Sequence, residues 1–166
     1  MKEFLDKVFS LSVWEVLSDV HGGLAMLSLI LFGAAFVLVT KQQIKRSTRW
    51  LKFVLLGLWV DLILLDAFGL YIYVPYRAKG GPRTALLASE ETSWLHKLIF
   101  EHKEFLAFAP PALLLVATVL VWRYKGALGE QTLLRRTVLA SLVLALVFVL
   151  VVATEAVLVT KAAPLQ

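Results

Sequence analysis

The side chains with chemistry to offer are few, and they interrupt apolar sequence. His21, Asp61, Asp66 and Glu155 each sit within a long hydrophobic block, and His102 stands at the head of another. An ionisable group inside a membrane-length apolar run is costly, so it normally faces the protein interior and has a task. Imidazole and carboxylate together suit transition metals, and imidazole is an axial ligand of haem iron. Carboxylates at mid-membrane depth also relay protons. The chain has no cysteine, which removes thiolate nucleophiles, thiolate metal sites and iron–sulfur clusters. It carries no phosphate-binding glycine loop, dinucleotide fingerprint or serine-nucleophile motif.

The elements that must position these groups are membrane spans. Of the 166 residues, 60% are apolar and 17% charged, against about 45–50% and about 25% in a soluble domain. The mean hydropathy is +0.80. Disordered proteins, soluble nucleic-acid binders and ordinary cytosolic enzymes are excluded. A helix needs about 20 mostly apolar residues to cross the hydrocarbon layer. Four blocks qualify: 20–40, 53–74, 105–122 and 137–160. Backbone polar groups in lipid must be satisfied within the segment, so each block is read as a helix. The expected fold is an all-α, integral membrane four-helix up-down-up-down bundle in a single domain, 1–166. An outer loop, 75–104, holds an interfacial helix that starts at Ser89, with Glu90 and Glu91 in its first turn. Pro75 is expected to end the second span, and Pro110-Pro111 to kink the third.

Charge sets the orientation. Lys41, Lys45, Arg46, Arg49 and Lys52 fill the first connection, and Arg123, Lys125, Arg135 and Arg136 the third, with Glu130 the acid among them. Acids such as Glu3, Asp6, Glu90 and Glu101 gather on the other side. Dense basic loops remain in the cytoplasm, so both termini are expected outside, in a bacterial or archaeal cytoplasmic membrane. The net charge of +5 is then a topology signal and not a nucleic-acid signal.

Depth brings three of the polar groups together. At about 1.5 Å per residue above Lys41, Arg123 and Arg136, the residues His21, His102 and Glu155 all reach about 28–31 Å. Asp66, at about 21 Å, and Asp61, at about 13 Å above Lys52, lie lower. His21 shares a helical stripe with Ala25, Ser28, Phe32 and Ala35, and Glu155 shares one with Ser141, Ala145, Phe148 and Val152. Small and polar residues mark helix contacts in membranes, so both should point inward. One reading is a b-type haem between His21 and His102, the diagonal helices of the bundle. Gly22 and Gly23 would then give the macrocycle access, and Arg77, Lys79 or Arg83 would meet its propionates. The alternative is iron or another transition metal held by His21, His102 and Glu155, with Glu101, Glu104 and His96 nearby. His96 alone reads as a surface residue. Asp66, and below it Asp61, are candidates for a proton relay. Asp61 reads equally well as an interhelical hydrogen-bond partner of a serine or threonine.

The chain resembles small four-helix bacterial membrane proteins of uncharacterised function that are regarded as haem binders. The likeness rests on His21-Gly22 opening the first span, Gly57…Asp61…Asp66…Gly69 followed by Tyr76-Arg77, and His102 opening the third. The chain departs from the pattern in carrying Glu155 at the histidine level. The resemblance implies a membrane cytochrome or redox subunit. The expected partners are the lipid bilayer, and a quinone or other redox subunits. A metal-site protein, a cofactor-free structural subunit of a membrane complex and an oligomeric channel are the other classes.

Overall fold

The computed structural model describes residues 12–40, 45–124 and 127–163. Lys41, Lys125, Glu3 and Asp6 of the charge reading fall outside them. Helix α1 runs Val13–Thr40 and α2 runs Lys45–Arg77. Three short helices follow: α3, Pro82–Leu87; α4, Glu90–Trp94; and α5, Glu101–Leu106. A π-helical turn, Leu95–Phe100, joins α4 to α5. The bundle is completed by α6, Ala109–Arg123, and α7, Thr132–Ala162. Four helical segments are long and apolar enough to cross a membrane: Val13–Thr40, Thr48–Arg77, Glu90–Arg123 and Thr132–Ala162. No strand occurs among the described residues. The chain is an all-helical, membrane-type four-helix bundle.

Local chemistry explains where the helices begin. Ser12 and Glu15 form a reciprocal cap: the Ser12 N–H donates to Glu15 Oε2 at 2.7 Å, and the Glu15 N–H to Ser12 Oγ at 3.2 Å. Two first-turn donors are satisfied in this way, which starts α1 well before the apolar block. Ser89 caps α4 by accepting from the Glu91 N–H at 3.3 Å. Two expectations about proline are corrected. Pro75 lies inside α2, which continues to Arg77. Pro110 and Pro111 do not kink a continuous helix; the helix breaks at Ala107–Phe108, and the prolines open α6. The first turn is where a missing N–H costs least.

The packing order is α1 on α2, α2 on α6, and α6 on α7, with the α1–α7 seam the loosest. The first and third spans are therefore diagonal. Phe32, Ala35, Leu55, Leu58, Leu114, Ala117, Val138, Leu142 and Ala145 form the core of the half near the basic loops. A second, smaller cluster of Tyr76, Leu86, Leu95, Phe100 and Val159 caps the other end. Ile30, Leu70, Phe105 and Leu133 are exposed on the outside, as a lipid-facing surface requires. Threonines on that surface satisfy themselves: Thr40, Thr137, Thr154 and Thr160 each donate to the carbonyl four residues back.

The turn after α2 needs both of its glycines. Gly80 has φ of 82°, a region that costs other residues about 1–2 kcal/mol. A Cβ on Gly81 would collide with the Pro75 carbonyl oxygen and stand 3.0 Å from that of Tyr76. Gly81→Ala is therefore expected to lower stability by about 1–3 kcal/mol. Thermal unfolding in detergent measures it, and an unchanged midpoint would contradict the geometry.

Candidate functional site

Between the two apolar clusters lies a polar layer contributed by all four spans. Its logic is clearest in the three histidines, because hydrogen-bond partners decide which ring nitrogen carries the proton. His21, on α1, has Nδ1 3.1 Å from the Leu65 carbonyl oxygen of α2. A carbonyl only accepts, so Nδ1 is the protonated donor and the lone pair of the neutral ring lies on Nε2. Gly69 makes room for the ring: a Cβ there would meet His21 Cε1 at 3.4 Å. His102, on α5, donates from Nδ1 to Glu155 Oε1 of α7 at 2.7 Å. That again leaves Nε2 as the open nitrogen. Neither Nε2 has a hydrogen-bond partner among the described residues.

His96 is different, and the expectation that it is a surface residue is wrong: it is 3% exposed. Arg83 Nε donates to His96 Nε2 at 3.0 Å. Nε2 must therefore accept, Nδ1 carries the proton, and Nδ1 donates to the Tyr76 hydroxyl oxygen at 3.0 Å. Both ring nitrogens are used. Tyr76 in turn stacks on Phe100, with centroids 4.0 Å apart and planes 4° apart. The outer cap is thus an aromatic and imidazole cluster in which His96 is structural. The phase change made by the π-helical turn is what brings His96 and Phe100 to it.

Lys103 was not singled out by the sequence. Its ammonium lies over the Phe100 ring at 4.6 Å, and its charge acts on both Glu155 and His21. The hydrogen bond that joins α5 to α7 here is the one from His102 to Glu155. Glu155 is 8% exposed, and the His102 side chain is 54% exposed. Among the described residues no three His, Asp or Glu side chains lie close enough to hold a metal ion. Glu155 is paired with His102, while His21 bonds to backbone. Arg77 stacks on Tyr73 at 4.3 Å and has Nη2 3.8 Å from Glu104 Oε2, whereas Arg83 is committed to His96.

Deeper in the bundle, the two aspartates take separate directions. Asp61 is 3% exposed and accepts a short hydrogen bond from Ser28 Oγ of α1. Ser28 is the small polar residue on the His21 stripe. Asp66 is half-buried. Asp61 Oδ1, Asp66 Oδ2 and Glu155 Oε2 are buried with no hydrogen-bond partner among the described residues.

Comparisons with protein-family models, curated proteins and solved structures return no match. A four-helix membrane bundle hosts many activities, so function lies in the site that the bundle carries.

Removal of the Ser28 hydroxyl leaves both oxygens of a buried carboxylate without a donor. Ser28→Ala is expected to destabilise the protein, and Asp61→Leu on that background to recover part of the loss. A double-mutant cycle by detergent unfolding should give a coupling of about 1 kcal/mol, the scale of interhelical hydrogen bonds in bilayers. Zero coupling would mean the bond has no weight.

Proposed function

We propose that the chain is a membrane electron-transfer subunit that holds a b-type haem near its outer surface, with His21 and His102 as axial ligands. The observation that carries this reading is the matched state of the two rings. Histidine ligands of metals nearly always donate their other ring N–H to a carboxylate or a backbone carbonyl, which fixes the tautomer and raises ligand basicity. His21 does so to Leu65 and His102 to Glu155. The rings come from diagonal spans, where a flat cofactor has the most room. Gly22 and Gly23, both exposed, give this reading no support of their own, since a Cβ on either would meet nothing within 4 Å. The haem would supply one-electron chemistry, and the chain's part is to hold both imidazoles and set the potential.

Glu155 acquires a role in this reading as the orienting partner of His102. The three-ligand metal alternative is less well supported, because Glu155 is already engaged and the three side chains form no such group. Arg77 keeps enough exposure to pair with a propionate. Asp66 adjoins Leu65, whose carbonyl holds His21, and we assign it to proton relay toward that level, with Asp61 below. By the positive-inside rule, the basic connections favour an orientation with both termini outside, in a bacterial or archaeal cytoplasmic membrane. A quinone or a further redox subunit would exchange electrons with the protein.

Absorption spectra of the purified protein, oxidised and reduced, with iron analysis on the same sample, test the proposal. A b-type spectrum with stoichiometric iron is expected, and His21→Ala or His102→Ala should abolish it. Glu155→Gln should keep the haem but raise its midpoint potential, because an amide makes the partner imidazole less basic than a carboxylate does. An iron-free protein with no visible absorption would leave a structural subunit as the better description.

A further inference from the structure

At the end of the bundle away from the basic loops, one imidazole ties three elements together. Arg83 Nε on α3 donates to His96 Nε2 in the π-helical turn at 3.0 Å, and His96 Nδ1 meets the Tyr76 hydroxyl on α2, also at 3.0 Å. The ring is 3% exposed. It can accept from Arg83 only while it is neutral. An imidazolium has two N–H donors and no acceptor, so protonation turns the Nε2 lone pair into an N–H that faces the Arg83 N–H. It also sets a second cation against the guanidinium at a buried site, where like charges repel more strongly than in water.

The surrounding charges are balanced without the ring. Those that act on His96 are Arg83, Arg77 on α2, and Glu101 and Glu104 on α5. Glu104 faces Arg77, with Oε2 3.8 Å from Nη2, and Glu101 is exposed. Lys97 in the π-helical turn and Glu90 and Glu91 on α4 are exposed as well. On α7, Glu155 is bonded to His102 and Lys161 is exposed. The hydrogen-bond partners of the ring are Arg83 and Tyr76, and neither is an anion.

The element that Arg83 holds is short and bounded by breaks. Helix α3 has six residues, Pro82–Leu87, between the Gly80-Gly81 turn and the extended Ser89. Leu86, 1% exposed, carries it into the apolar cluster of Tyr76, Phe100 and Val159. Val159 lies one turn beyond Glu155 on α7. Histidine changes its charge nearest to neutral pH, and its protonation is a general means of opening packed contacts. We infer that His96 is a proton-operated latch: the neutral ring holds Arg83 and α3 on the cap, and acid breaks the Arg83 bond and releases α3 from the apolar cluster while the four spans stay packed. This inference does not rest on the haem reading, because His96 has no part in that site.

Electron–electron double resonance on the full chain in nanodiscs tests it. The sequence has no cysteine, so Ala85→Cys on α3 and Thr160→Cys on α7, both at exposed positions, supply a unique pair of spin labels. Between about pH 8 and about pH 4, a range that spans the imidazole titration, the distance distribution should pass from short and narrow to longer and broad. Helix content by circular dichroism should stay unchanged. His96→Gln, whose amide oxygen accepts from Arg83 and does not titrate, should stay short and narrow throughout. Arg83→Met, a change at an exposed residue, should be broad even at neutral pH, since the bond that acid breaks is already gone. An acid response that survives His96→Gln, a narrow distribution in the unsubstituted background down to about pH 4, a narrow distribution in Arg83→Met, or loss of helix content together with the distance change would each overturn the inference.

Discussion

A carboxylate withdrawn into an apolar bundle is tolerable only if a donor meets it, and the bond from His102 to Glu155 is where this protein meets that demand. Much follows from that one contact. It ties the outer end of the third span to the fourth at a level where the inner hydrophobic core no longer reaches. It makes Nδ1 of His102 the protonated nitrogen and leaves Nε2 open. It also uses one carboxylate oxygen and leaves the other buried without a donor among the described residues. Lys103, next to His102 in the chain, sets its ammonium over the Phe100 ring.

The rest of the architecture holds that level in place. Below it, Phe32, Leu55, Leu58, Leu114 and Leu142 are each 0–1% exposed and lock the four helices together near the basic loops. Above it, stacked Tyr76 and Phe100 and the tilted ring of His96 make a lid, anchored by Arg83. The lid needs the glycine turn after α2 and the π-helical turn before α5. Departures from regular helix of this kind often mark functional regions. Here the extra residue per turn rotates His96 and Phe100 onto the cap while His102 remains available to Glu155. Two histidines six residues apart thereby take opposite roles, one with both nitrogens consumed and one with a nitrogen open.

The spans were legible because membrane burial imposes a long, simple signal. The stripes were legible too: Ser28, Phe32 and Ala35 on α1, and Ser141, Ala145 and Glu155 on α7, are all buried. Asp61 met a serine across the helix pair, one of the two roles its sequence allowed. What escaped was set by backbone and by phase. The Leu65 carbonyl that holds His21 has no side-chain signature. The burial of His96 depends on a π-helical turn that periodicity at 3.6 residues cannot anticipate. Pro110-Pro111 reads as a kink in an apolar run, yet the chain uses the pair to start a new helix. The Ser12–Glu15 cap has a sequence signature, a serine followed three residues later by a glutamate, but it lies ahead of the apolar block that defines the span.

In the proposed haem site, His21 and His102 form one axial pair, each preset by its Nδ1 partner. Electron paramagnetic resonance of the oxidised protein tests it most directly, because the spin state of ferric iron reports its axial ligands. A low-spin signal of two imidazole ligands, lost when either His21 or His102 alone is replaced by alanine, is the predicted result. A ferric signal that survives either replacement unchanged, or the lack of any stoichiometric ferric signal after reconstitution with haem, would contradict it.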